Sequence, residues 1–174
     1  EKTCNIRQAV NDIVMSKSFD NGMICASEQA VIIDKEIYDE AVAEFKSFGV
    51  YFVSPSEKKK LEKYMFGVEK DEDKPLAKLN PVIVGKSAAF IAHEAGFEVP
   101  KNTVIICVAC KSVGVEEPLT REKLSPVLAV LKSKTTEEGI ELAKQMVEFN
   151  GLGHSAAIHT ADEALTKRFG DIIP

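Results

Sequence analysis

Apolar positions along the chain switch between two spacings, and the switches mark out its elements. Ile6, Ala9, Val10, Ile13 and Val14 recur at helical spacing and predict an amphipathic helix near the start. That pattern runs into Asp20-Asn21-Gly22, a strong turn signal, and Ala30-Val31-Ile32-Ile33 beyond it reads as a strand. The connection between helix and strand therefore presents Cys25 at the edge of a sheet. Asp34 then reads as the N-cap of a helix over about 35–48, with Ile37, Ala41, Val42 and Phe45 on one face and Gly49 as its stop. Val50-Tyr51-Phe52-Val53 reads as a second short strand. Ser54-Pro55-Ser56-Glu57 opens another helix, with its proline early and an acid in the first turn. Lys58 to Lys60 read as a solvated helix face rather than an anion site.

The second half continues the alternation. Residues 67–80 hold the polar run Glu69 to Pro75 and read as a mobile loop. Pro81 to Gly85 fits either a strand or an apolar loop, and Ser87 to Ala95 fits a helix stopped by Gly96, with His93 on its surface. Thr103 to Cys110 is the clearest strand pattern in the chain. An acidic loop, Val113 to Pro118, follows it, and Pro126 opens the strand Val127 to Leu131. Thr135 or Thr136 with Glu137-Glu138 caps a helix to about 149, with Leu142, Met146 and Phe149 inward. After the turn Asn150-Gly151-Leu152-Gly153, Ser155 to Thr160 reads as a final strand and 162–169 as a final helix. Asp171-Ile172-Ile173, just before Pro174, reads as the beginning of one more strand. Strands alternating with helices give an α/β fold: a layered, largely parallel sheet flanked by helices.

Composition narrows the class. The chain has 174 residues, 45% of them hydrophobic, enough for one domain with one core. Its formal charge of −5, with both signs interspersed, disfavours a nucleic-acid surface. Apolar runs fall short of a membrane span. Four cysteines without a signal peptide point to a reducing compartment, the cytoplasm. The first residue falls straight into a helical pattern and the last into a strand pattern, so both ends read as cuts inside a larger fold.

Three positions carry candidate chemistry. Cys25 fits two roles: an exposed nucleophilic thiol on a turn-flanked loop, or a small buried hydrophobe beside Ile24 and Met23. His154, after a glycine turn and before a strand, suits proton transfer or packing. Glu122, within Thr120-Arg121-Glu122-Lys123, reads on its own as an ordinary surface acid. Cys107 and Cys110 have metal-like spacing. However, no second Cys or His pair accompanies them, and strand residues three apart face opposite ways. They are assigned to the core, and no metal site is expected. No glycine-rich phosphate cradle is present.

The segment Phe19-Asp20-Asn21-Gly22-Met23-Ile24-Cys25-Ala26-Ser27-Glu28-Gln29 resembles the nucleophile loop of coenzyme-A-acylating aldehyde dehydrogenases. It is most like the aldehyde-dehydrogenase half of the bifunctional aldehyde-alcohol dehydrogenases. Arg121-Glu122-Lys123-Leu124-Ser125-Pro126 and Asn150-Gly151-Leu152-Gly153-His154-Ser155 match the same family in order and spacing. The resemblance implies that residues 1–174 are the cysteine-bearing catalytic domain, with the nucleotide-binding domain outside this chain.

It further implies Cys25 as nucleophile, Glu122 as the acid that holds the nicotinamide ribose of NAD, and a histidine of the family at His154. The implied reaction interconverts acetaldehyde and acetyl-CoA through a cysteine thioester resolved by coenzyme A. The full-length enzyme is expected to be a homo-oligomer, and the isolated chain is expected to turn over little. Two departures from water-using relatives stand out. Gly22-Met23-Ile24 occurs where those have Gly-Gln, and Leu124-Ser125 where the widespread version has Phe-Gly. Alternatives are a propionaldehyde-type acylating enzyme of microcompartments, a non-catalytic assembly domain that keeps the fold, and a hydrolase using Cys25 and His154.

Overall fold

Four of the apolar runs assemble into one wholly parallel sheet: β1 (Ala30–Asp34), β2 (Val50–Phe52), β3 (Ile105–Cys110) and β4 (Val127–Ser133), in the order β1-β4-β3-β2. The computed structural model describes residues 1–173. Around the sheet lie α1 (Ile6–Ser18), α2 (Tyr38–Ser47), α3 (Pro55–Phe66), α4 (Ala88–Ala95), α5 (Thr136–Asn150) and α6 (Glu163–Ile172). The layered, parallel α/β architecture is the one expected from the sequence.

The central strands are buried on both faces, which explains why they read as continuous apolar runs rather than alternating ones. Ile105, Cys107, Leu128 and Val130 pack with Val10, Ile13 and Phe45 from α1 and α2. Ile106, Val108, Cys110, Ala129 and Leu131 pack with α3 and α4 on the other face. Cys107 and Cys110 thus point into different cores, as strand geometry requires, and neither can share a ligand with the other. Fully buried side chains such as Ile106 and Leu128 each contribute about 1.5–3 kcal/mol of hydrophobic stabilisation.

Local signals set several boundaries. Ser54 and Glu57 form a reciprocal capping box at the start of α3: the Ser54 side chain accepts from the Glu57 N–H, and the Glu57 carboxylate accepts from the Ser54 N–H at 2.7 Å. Thr135 caps α5 by accepting from the Glu138 N–H. Val104 N–H donates to the carbonyl of Gly49, tying the turn after α2 to the approach of β3.

Elsewhere the structure departs from expectation. Asp34 ends β1, paired with Ser133, and its carboxylate accepts from the Glu36 N–H, so α2 starts at Tyr38 instead of 35. The strand expected from Thr103 starts at Ile105. Pro81–Ile83 is a single 3-10 turn, and the polar run contains another at Asp71–Leu76. In α5 the most buried positions are Ile140 and Val147; Leu142 and Met146 pack against the core from half-buried positions, and Phe149 lies under Arg121. Residues 155–160 have no regular secondary structure and join no ladder. Their polar groups turn to the start of the chain: His159 accepts from the Glu1 amino group, and the Ala161 N–H donates to Thr3 Oγ1. Residues 171–172 continue α6 rather than starting a strand, and Pro174 lies outside the described residues.

Candidate functional site

The loop that carries Cys25 is built from left-handed residues. Asp20, Asn21 and Gly22 have φ of 48°, 51° and 68°, a conformation that Asp, Asn and Gly adopt more readily than other residues. Asn21 Nδ2 donates to the Gly85 carbonyl at 3.0 Å. Gly22 is pressed between two backbones: a Cβ placed there would sit 2.6 Å from the Ser125 oxygen and 3.1 Å from the Lys17 oxygen. Gly22→Ala should therefore both strain the backbone and push these two segments apart, costing about 1–3 kcal/mol or more. Chemical denaturation checks this, and an unchanged midpoint would contradict so close a contact.

After Gly22 the chain makes a tight turn, closed by Ser27 N–H donating to the Ile24 carbonyl at 2.9 Å. Cys25 stands on that turn as an exposed free thiol, whereas Cys4 is half-buried and Cys107 and Cys110 are buried. Burial pushes the Cys110 thiol up to about 12 and raises those of Cys4 and Cys107 as well. Among the described residues nothing accepts from the Cys25 backbone N–H, so this donor is available to a developing oxyanion.

A polar staple joins this turn to the loop bearing Glu122. Gln29 Oε1 accepts from the Lys123 N–H at 3.0 Å, and Gln29 Nε2 donates to the Ser27 carbonyl at 3.0 Å. The Lys123 side chain is completely buried, and its ammonium donates to the carbonyls of Leu119, Gln29 and Arg121 at 2.7, 2.9 and 2.9 Å. Those three bonds use all its donors. Burial, reinforced by the Lys17 ammonium, holds Lys123 well below the usual lysine range. Asn150 Nδ2 adds a third tie, donating to the carbonyls of Thr120 and Met146 at 3.0 Å each. It locks the end of α5, and hence the glycine turn before His154, to the same loop.

Cys25, Glu122 and His154 line one cavity of about 330 Å³. Cys25 lies before the amino end of β1 and Glu122 before that of β4, whereas His154 precedes the segment 155–160, which is no part of the sheet. Cys25 and Glu122 thus lie toward the amino-terminal rim of the parallel sheet, and His154 meets them at the cavity. Glu122 is half-buried and His154 exposed. The cavity continues along the unpaired edge of β1 toward apolar side chains that include Ile13, Ile33, Phe45 and Ile140. His159 also lines it, through a segment whose carbonyl is already bonded to Glu1. His93 lies elsewhere, on the exposed face of α4, where its hydrogen bond to Glu98 at 2.9 Å raises its pKa.

The sequence reading assigned no role to Lys17, Gln29 or Lys123. Lys17 did leave a signal: it continues the apolar stripe Val10-Ile13-Val14, where a surface lysine does not belong. Its side chain is 0% exposed, and burial pushes its pKa down to about 8 against the opposing pull of Glu28. Among the described residues, no helix is long and apolar enough to cross a membrane, and no three His, Cys, Asp or Glu side chains converge as metal ligands would.

No protein-family model matches the chain. Solved structures do. An acetylating aldehyde dehydrogenase from Geobacillus thermoglucosidasius superposes with a TM-score of 0.89 at 40% identity, over 97% of this chain and 36% of that one. A propionaldehyde dehydrogenase from Rhodopseudomonas palustris, solved with bound CoA and an acylated cysteine, superposes with a TM-score of 0.82 at 25% identity, over 98% of this chain and 37% of that one. Over nearly all of its own length this chain is similar to a segment of acetylating aldehyde dehydrogenases. Within that class it is 67% identical over 174 residues to the aldehyde-alcohol dehydrogenase of Streptococcus pneumoniae, a match covering 99% of this chain. The chain spans 20% of the length of that curated relative.

Proposed function

We propose that residues 1–174 are the cysteine-bearing catalytic domain of an NAD-dependent, acetylating acetaldehyde dehydrogenase, with Cys25 as its nucleophile. The observation that carries this reading is the placement of Cys25. It is the one exposed cysteine among the described residues, it sits on a turn pinned by Gly22 and Gln29, and it lines the same cavity as Glu122 and His154.

The Cys25 thiolate attacks the aldehyde carbonyl carbon, and the carbonyl oxygen takes up negative charge beside the free Cys25 N–H. The nicotinamide cofactor, when bound, supplies the acceptor for the hydride that leaves this carbon. Cys25 is then held as a thioester. The thiol of coenzyme A attacks that thioester, forms acyl-CoA and returns the Cys25 thiolate; no water-activating base is demanded, because a thiolate is already a strong nucleophile near neutrality. Run backwards, acyl-CoA acylates Cys25 with release of coenzyme A; the reduced cofactor, when bound, would return the hydride to the acyl carbon, and the aldehyde leaves as the Cys25 thiolate is restored.

Glu122 fits one end of the cofactor: a half-buried carboxylate, next in the chain to the anchored Lys123, can accept from the two hydroxyls of a ribose. This chain offers no phosphate cradle, so the rest of the dinucleotide site belongs to another part of the enzyme. His154, at the exposed rim, serves the proton traffic of the coenzyme A thiol. The enzyme is a cytoplasmic homo-oligomer in this reading, and the isolated chain turns over slowly if at all.

Brief alkylation of the folded chain with iodoacetamide, followed by peptide mapping, tests the placement. Cys25 should carry nearly all the label. Preferential labelling of Cys4, Cys107 or Cys110 would sink the assignment.

A further inference from the structure

The 3-10 turn Pro81–Ile83 leads into Gly85, and Gly85 touches both halves of the site. Its carbonyl accepts from Asn21 Nδ2 at 3.0 Å, on the loop that runs into Cys25. Its N–H donates to the Leu124 carbonyl at 3.2 Å, just past Glu122. Its bare Cα faces the Met23 side chain: a Cβ there would lie 3.2 Å from Met23 Sδ.

This seat is anchored from behind. Ile83 is completely buried in the core, and the Lys86 N–H closes the turn on the Ile83 carbonyl at 3.0 Å. Asn80 ties the turn to the end of α3, its Nδ2 donating to the Tyr64 carbonyl and its N–H to that of Met65. Leu124 is held in the left-handed region, with φ of 46°. A bulky side chain seldom adopts that conformation, which persists only where surrounding structure imposes it, most often at functional sites. The bond from Gly85 is one such restraint.

Gln29 bonds Lys123 on the far side of Cys25. The nucleophile loop is therefore fastened at Asn21 and at Gln29, four residues to either side of Cys25, to the two residues that follow Glu122. Acylation of a thiol does not need that double attachment. Hydride transfer does, because the thioester carbon and the nicotinamide must meet at a set distance and angle.

We propose that Asn21 is a positioning residue: through Gly85 it sets Cys25 against Glu122, and so the thioester carbon against a nicotinamide whose ribose Glu122 holds. The role rests on the reading of Cys25 as nucleophile and Glu122 as the ribose acid.

Two steps in the complete enzyme, timed separately, test it. The first is acetylation of Cys25 by acetyl-CoA without cofactor, followed by mass spectrometry. The second is release of aldehyde from the acetylated enzyme in a single turnover once NADH is added. Asn21→Gly removes the amide but accepts the same φ of 51°. It should slow the NADH step at least about tenfold, within the roughly 100-fold loss that a misplacement of about 1 Å brings, and leave the acetylation rate unchanged. Asn21→Asp, which keeps the shape and loses the donor, should do the same, and either variant suffices if the other fails to fold. Gly85→Ala, which presses on Met23 from the seat itself, should show the same selective loss. A merely structural tie would lower the thermal midpoint and slow both steps alike. Equal slowing of the two steps, or a wild-type NADH step in the Asn21 variants, would overturn the proposal. Two other results would overturn the readings beneath it, and neither comes from an Asn21 variant: acetylation of the wild-type enzyme away from Cys25, or a wild-type KM for NADH in Glu122→Ala.

Discussion

Replacing Cys25 by alanine in a catalytically complete enzyme carrying these residues should abolish aldehyde oxidation and acyl-CoA reduction together. Both directions pass through the same thioester, so no partial reaction survives loss of the sulfur. The other cysteines cannot substitute. Cys107 and Cys110 are buried in separate cores, with thiols pushed far above the neutral range, and Cys4 is half-buried with its thiol raised. Steady-state assays in each direction check this. Loss of one direction alone would mean that two different nucleophiles are at work.

His154→Ala should be the next most damaging change, slowing turnover by roughly 10²–10⁴-fold, the usual worth of a positioned acid or base. The substitution removes an exposed ring on a loop between Gly151 and Ser155 and leaves no core cavity, so folding should be unaffected. Acylation of Cys25 by acyl-CoA should still occur, because the nucleophile, its N–H and the Gln29 staple remain. Turnover at the wild-type rate would reduce His154 to a structural part of the Gly153 turn. Loss of acylation along with turnover would give it a direct part in forming the thioester.

The difference between what the sequence revealed and what it hid follows from the range of the forces involved. The periodicity that sets α1, the double burial of β3 and β4 and the capping box at Ser54 are local, and each could be read from a few neighbouring residues. So could the opposite orientations of Cys107 and Cys110. The start of α2 was misplaced because Asp34 pairs with Ser133, almost a hundred residues away in sequence, and is spent on β1 before it can cap a helix. Residues 155–160 have a strand's side-chain pattern, but a strand also needs a partner backbone, and here their groups bond to Glu1 and Thr3 instead.

The candidate site divides the same way. Cys25, Glu122 and His154 were recognisable from the motifs around them, and the fold brings all three to one cavity. What holds them there was not legible. The bond from Lys123 to Gln29 spans 94 positions, and nothing in either segment announces the other. Lys17 showed itself in sequence only as a polar residue on an apolar stripe.

Incubation of the complete enzyme with acetyl-CoA alone, without cofactor, followed by intact-protein mass spectrometry and peptide mapping, tests the nucleophile most directly. The expected result is a single acetyl group on Cys25, absent from Cys25→Ala and retained in His154→Ala. A folded enzyme that takes no acetyl group, or takes it at any residue other than Cys25, would contradict the assignment.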